Sequence, residues 1–179
     1  MIYEEKTLES QILYKGSILN LRRDKVLVVG DKESYREIIE HSGAVTIAPI
    51  TDDGKMVLVK QYRKAAEKAV LETPAGKIES GENDAKLTAI RELKEETGYS
   101  AESVEYVSSF YPAIGYSEEI IHLFVARGLT PGETHFDDNE AIEVIEYDLK
   151  ELKQMVLKGE IEDSKTIIAI LIVAARMGI

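Results

Sequence analysis

The chain contains no cysteine. That excludes disulfides, thiolate metal sites and a cysteine nucleophile, and it suits a reducing compartment. No apolar run is long enough for a bilayer. The longest, Ile167 to Ala175, has nine residues, where a spanning helix needs about 20. The first residues, Met1 to Ser10, carry several charges and no apolar stretch, so they do not read as a secretory signal. Basic residues are in deficit: 22 Lys and Arg stand against 33 Asp and Glu, a formal net charge of −11. Such a surface repels nucleic acid. A bound cation can still reverse the local sign and admit a phosphate ligand. The expectation is a cytoplasmic protein with neither a membrane nor a nucleic acid as partner. Internal repeats, low-complexity stretches and Pro/Ser-rich linkers are also missing. So are a Walker loop, a dinucleotide fingerprint, a serine nucleophile elbow and an EF-hand loop. His41, His122 and His135 lie far apart and show no metal-ligand spacing. His41 and His122 read as structural residues of strands.

What is present describes a globular protein of mixed class. The 179 residues are 44% hydrophobic and 31% charged, enough for one domain, or one domain with a small appendage. Leu13 to Tyr14, Leu19 to Val29 and Tyr35 to His41 read as short strands broken by Gly16, Gly30 and Asp31. A sheet that small has too little core to stand alone. Ala44 to Thr51 and Lys55 to Tyr62 follow as strands, with Asp53-Gly54 between them as a hairpin-turn signal. Ala69 to Glu72 forms a further strand, and Pro74 to Gly81 a glycine-rich loop. A helix is predicted over Ala85 to Thr97, with Gly98 as its terminating glycine. Strands Val104 to Tyr111, Ile120 to Ala126 and Ile142 to Tyr147 come next, the last after an acidic loop, Gly132 to Asn139. Helices Leu149 to Leu157 and Ser164 to Met177 close the chain. The fold class is α/β or α+β, a central helix packed on a sheet.

The helix carries the chemistry. At about 100° per residue, Leu87, Ala89, Ile90 and Leu93 fall on one side and are assigned to the core. Glu92, Glu95 and Glu96 gather on the other, spaced i, i+3 and i+4. Carboxylates at these spacings repel by roughly 0.2–0.5 kcal/mol per pair. They also sit late in the helix, where the macrodipole disfavours anions. Oxygen ligands of this kind suit Mg²⁺ or Mn²⁺, and a cation offsets both penalties. Such ions serve phosphoanhydride cleavage, because they neutralise phosphates and activate water. Gly76 and Gly81, just before the helix, mark a place where backbone can approach a ligand closely.

The segment AGKIESGENDAKLTAIRELKEETGY, Ala75 to Tyr99, resembles the Nudix box, G-x5-E-x7-R-E-U-x-E-E-x-G-U, where U is a bulky apolar residue. Gly76 and Glu82 match in spacing, and Arg91, Glu92, Leu93, Glu95, Glu96 and Gly98 match in a row, with Tyr99 at the final apolar position. One departure is visible: eight residues, Asn83 to Ile90, separate Glu82 from Arg91 where the pattern has seven. The extra residue falls in the turn near Asn83 or Asp84. The likeness extends over YREIIEHSGAV, VKQYRKAAE, ETPAGKIESGE, GYSEEIIHLFVA and DSKTIIAILIVAA, and in these it resembles the bacterial ADP-ribose pyrophosphatase branch. A second departure is Ile114, where the branch usually has a proline, with Pro112 two residues earlier.

The resemblance implies a Nudix fold, a mixed β-sheet sandwiched by helices, over residues 43–179. It implies a small N-terminal antiparallel β-sheet subdomain over residues 1–42 that pairs two chains as a homodimer, with the substrate in a cleft shared by both. It implies Glu92 and Glu96 as main metal ligands, the Ala75 carbonyl beside them, and Glu95 and Glu82 as further acids of the site. Arg91 would orient a glutamate through a charge-assisted hydrogen bond. Mg²⁺ is the expected metal, Mn²⁺ a possible one. A metal-activated water would split ADP-ribose into AMP and ribose 5-phosphate. The acidic stretch FDDNEAIEV would supply the base, Glu140 or alternatively Asp138. Arg63 would contact phosphate or ribose, Arg36 and Tyr35 would reach substrate from the N-terminal sheet, Glu119 would lie near it, and Gly76 would flank it. The alternatives are a Nudix hydrolase for NADH, a nucleotide sugar or a nucleoside triphosphate, and a module that binds ADP-ribose without cutting it. A regulatory version would also want a DNA-binding domain, for which 179 residues leave no room.

Overall fold

The computed structural model describes residues 2–79, 81–134 and 141–179. Contacts divide the chain into two units, Met1–Gly43 with Tyr111–Ile120, and Ala44–Phe110 with Ile121–Ile179. The first unit is an antiparallel sheet of β1 (Lys6–Lys15), β2 (Asn20–Val28) and β3 (Lys32–Glu40), in the order β1-β2-β3. β1 is much longer than the Leu13 to Tyr14 expectation, because its polar first half pairs along β2 as a ladder that apolar content does not reveal. The Tyr111–Ile120 segment docks on β3: Ile39 N–H donates to the Tyr116 carbonyl at 2.8 Å, and Glu118 N–H to the Ile39 carbonyl at 3.1 Å.

The described residues of the second unit form two sheets. β4 (Ala44–Pro49), β7 (Ala75–Lys77), β8 (Ser100–Phe110) and β9 (Ile121–Thr130) form one, in the order β7-β4-β9-β8, with β4 and β9 parallel. β5 (Lys55–Arg63), β6 (Lys68–Glu72) and β10 (Ile142–Asp148) form the other, in the order β10-β5-β6. Among the described residues three helices complete it: α1 (Ala85–Thr97), α2 (Leu149–Leu157) and α3 (Ser164–Arg176). Side chains alternate across the first sheet as strand geometry requires. Val45, Ile47, Phe124 and Ala126 pack with Ala89 and Leu93 of α1. Ala48, Ile50, Leu123 and Val125 pack on the opposite side with Met56 and Leu58 of β5 and with α2 and α3. The mixed sheet is therefore sandwiched by helices.

Two expectations need correction. Asp53-Gly54 does make a turn, with Gly54 N–H donating to the Thr51 carbonyl at 3.0 Å. It does not make a simple hairpin, since β4 and β5 enter different sheets and the Ile50–Met56 pairing between their ends is an isolated bridge rather than a ladder. β4 is buried on both faces, and such a strand needs a layer on each side; β5 supplies part of one. The second correction concerns the wheel of α1. Its ends are as expected: Asp84 caps it by accepting from Lys86 N–H at 2.9 Å, and Gly98 closes it at φ 76°. Its buried face, however, is Thr88, Ala89, Leu93, Glu96 and Thr97. Leu87 and Ile90 are 63% and 44% exposed. The helix is rotated so that part of its acidic stripe points inward.

Candidate active site

That rotation builds the site. Glu96 is 6% exposed and accepts from the Ala75 N–H at 3.0 Å. Ala75 and Gly76 belong to β7, which pairs with Thr46 and Val45 of β4. A Cβ on Gly76 would lie 1.9 Å from the Glu92 carboxylate carbon. The missing side chain is thus the space the carboxylate fills. Arg91 gathers the remaining acids: one nitrogen, Nη1, donates to Glu92 at 2.7 Å and to Glu95 at 2.9 Å. Nε and Nη2 reach Glu82 at 3.3 and 3.4 Å. Burial disfavours the Arg91 charge, but Glu82, Glu92 and Glu95 outweigh it and raise its pKa further above the ordinary arginine value. Glu82 also accepts from Glu79 N–H at 3.0 Å and Thr88 hydroxyl at 2.9 Å. The Glu79 amide, then Arg91 and Thr88, hold its carboxyl below the usual range. The extra residue before Arg91 does not pull Glu82 out of this group.

The donors suit a hard divalent cation: carboxylate oxygens on one helix face, a strand backbone beside them, and a glycine that leaves room. Among the described residues no three His, Asp or Glu side chains are already gathered as a metal cage. Arg91 bridges Glu82, Glu92 and Glu95 instead.

Arg63, at the end of β5, donates Nε and Nη2 to Glu72 at 2.7 and 2.9 Å. It lines a cavity of about 430 Å³ with Lys68, Val70, Glu72, Asp163 and Lys165. The hydrogen bond that Arg63 donates to Glu72 outweighs burial and raises the Arg63 pKa, and the charge of Glu96 adds to this. Arg36, Tyr35 and Glu119 belong to the first unit. Arg36 is paired with Glu5, its Nε at 2.8 Å. Tyr35 is exposed, with the Arg23 guanidinium 5.2 Å from its ring centre. Glu119 lies 3.7 Å from His41. His122, in β9, bonds Ser109 at 2.7 Å, whereas His41 lies just past β3 and accepts from Gly43 N–H at 3.1 Å. Glu140, Asp138 and His135 lie outside the described residues. Reading residue by residue missed Glu72 and Lys165. Both sit inside the stretches ETPAGKIESGE and DSKTIIAILIVAA, but nothing local marks them as partners 93 residues apart.

An acidic helix over a mixed, helix-sandwiched sheet, with an arginine knotting its glutamates, defines a class that comparison with known proteins identifies. A family model described as the NUDIX domain matches residues 40–169. The methanol dehydrogenase activator of Bacillus methanolicus is 44% identical over 171 residues, 94% of this chain and 92% of its own. The ADP-ribose pyrophosphatase of Bacillus subtilis is 40% identical over 169 residues, 93% of this chain and 91% of its own. A crystal structure of an ADP compounds hydrolase superposes with a TM-score of 0.87 over 99% of this chain and 96% of its own, at 20% identity, a likeness of fold. The chain belongs to the Nudix family and is a Nudix pyrophosphohydrolase. Members of this family generally need divalent metal ions.

Proposed function

We propose that the chain hydrolyses ADP-ribose to AMP and ribose 5-phosphate in the cytoplasm, with Mg²⁺ as its metal and Mn²⁺ as a substitute. The observation that carries this is the 40% identity to an ADP-ribose pyrophosphatase across 93% of the chain. Glu92 and Glu96 would hold the metal with the Ala75 carbonyl, and Glu95 and Glu82 would complete the acidic surroundings. When bound, the metal neutralises phosphate charge and makes water a better nucleophile at neutral pH. Arg91 fixes the glutamates through charge-assisted hydrogen bonds. Arg63 offers its remaining N–H groups to a phosphate. Glu140, with Asp138 as alternative, accepts the proton of the attacking water. Tyr35, Arg36 and Glu119 contribute contacts from the first unit, and that unit's sheet pairs two chains as a homodimer.

The test is AMP release from ADP-ribose with Mg²⁺, beside NADH, ADP-glucose, GDP-mannose and a nucleoside triphosphate, for wild type, Glu96→Gln and Glu140→Gln. Fast metal-dependent turnover of ADP-ribose is expected, with a loss of about 10²–10⁴-fold in Glu140→Gln and a comparable or larger loss in Glu96→Gln. Preference for another substrate in the panel keeps the helix chemistry and discards ADP-ribose. A second reading, stimulation of an alcohol dehydrogenase, is favoured by the 44% identity to a methanol dehydrogenase activator. A rise in methanol dehydrogenase turnover on adding the protein supports it; no change removes it.

A further inference from the structure

A second ion cluster stands a few residues from the box. Glu72, at the end of β6, is 2% exposed. Arg63 grips it with two hydrogen bonds, and Lys165, in the first turn of α3, donates to it at 2.5 Å. Burial alone would push the Glu72 carboxyl up, but Arg63 and Lys165 overcome this and hold it below the usual carboxylate range. Lys165 also contacts Asp163 at 3.0 Å. Asp163 caps α3, accepting from Thr166 N–H at 3.0 Å and Thr166 hydroxyl at 2.6 Å. Thr73 N–H donates to the Thr166 hydroxyl at 2.7 Å, and the Thr73 hydroxyl meets that of Thr46 in β4 at 2.7 Å. The network thus joins β4 of one sheet, β5 and β6 of the other, and α3. The chain leaving it runs through Pro74 to Ala75, whose N–H holds Glu96, and to Gly76 beneath Glu92.

Two consequences bear on an anionic substrate. Nε and one Nη2 hydrogen of Arg63 are committed to Glu72, so Nη1 and the other Nη2 hydrogen are what a phosphate can take. Arg63 and Glu72 also cancel in charge. Lys165 restores a cation and Asp163 balances it, so the four groups sum to zero. Removing the Lys165 charge leaves a net negative charge on the wall of the cavity that Arg63 lines.

We infer that Lys165 is a positioning residue for substrate binding: it holds Glu72, and through Glu72 it fixes the orientation and effective charge of the Arg63 guanidinium. This rests on the proposed cleavage of a nucleoside diphosphate. The variants are Lys165→Met, Lys165→Arg and the double variant Glu72→Gln/Lys165→Met, in which no buried carboxylate lacks a cation. KM and kcat are measured on the panel substrate that wild type cleaves best. Calorimetric affinity for ADP-ribose is measured separately, each variant in a Glu96→Gln background, where binding is read without turnover. Lys165→Met is expected to raise KM and Kd by about 10–100-fold, as when an outer partner of a binding group is lost, with kcat nearly unchanged. Lys165→Arg restores most of the binding. The double variant keeps a raised KM while melting near the wild-type temperature. Values of KM and Kd near wild type in folded Lys165→Met or in the double variant overturn the inference, as does a fall in kcat at constant KM. If Lys165→Met does not fold, the double variant decides. If wild type cleaves nothing in the panel, the proposed activity is what fails, and Lys165 is then judged on the ADP-ribose titration alone.

Discussion

Gly76 shows how one absent side chain organises chemistry. It is a glycine for closeness of approach, because the Glu92 carboxylate occupies the place where its Cβ would sit. Gly76→Ala must drive that carboxylate away from the β7 backbone. Activity is expected to drop by about 10–100-fold, the scale of losing the support of a metal ligand. A steady-state assay on purified, folded Gly76→Ala checks this, and activity within twofold of wild type removes Gly76 from the site. Glu82 makes the converse point. Spacing alone puts it one residue out of pattern, yet Thr88, Glu79 and Arg91 all bond it. The insertion is absorbed before the Asp84 cap, where a turn can take an extra residue without turning the helix. The box residues were legible because their spacing is local. Glu72 and Lys165 were not, because ion pairs between distant segments leave no periodic trace.

On the scale of elements, α1 carries the lesson. Periodicity located its start, its end and its glycine stop, and all three agree with the structure. The assignment of faces differed, since two acids, Glu92 and Glu96, pack inward and two apolar residues, Leu87 and Ile90, face out. Hydrophobicity ranks a carboxylate as surface, but a strand N–H and an arginine can satisfy it inside. Leu93→Ala should therefore destabilise by about 2–5 kcal/mol, while Ile90→Ala should cost well under about 1 kcal/mol. Urea unfolding of the two variants separates them, and equal losses would restore the original face. β7 lies inside Pro74 to Gly81, which local sequence marks as a loop. Three residues carry too little pattern to announce a strand, and only pairing with β4 makes them one.

For the whole molecule, the exposed sheet of the first unit bears on assembly. Leu8, Ile12, Leu13 and Tyr14 of β1 are all exposed, an apolar surface of the sort that marks an interface. The proposed homodimer through this sheet predicts a species of twice the 20.0 kDa chain mass in sedimentation at micromolar concentration. Ile12→Glu should shift it toward the monomer. A wild-type monomer at that concentration rules out the pairing. Among the described residues no helix is long and apolar enough to cross a membrane.

The family, the class of chemistry, the helix that bears it and most strand positions are legible in the residue order alone. These are encoded in contiguous spacing, where backbone geometry converts residue intervals directly into shared faces. Folding in three dimensions sets which face of α1 is buried, that β4 and β5 part into different sheets, that Glu82 stays with Arg91, and that Lys165 reaches Glu72. Each of these depends on surfaces from distant parts of the chain meeting. The free energy of burying a charge or an apolar side chain is set by what lies opposite it, and a linear string does not contain that neighbour.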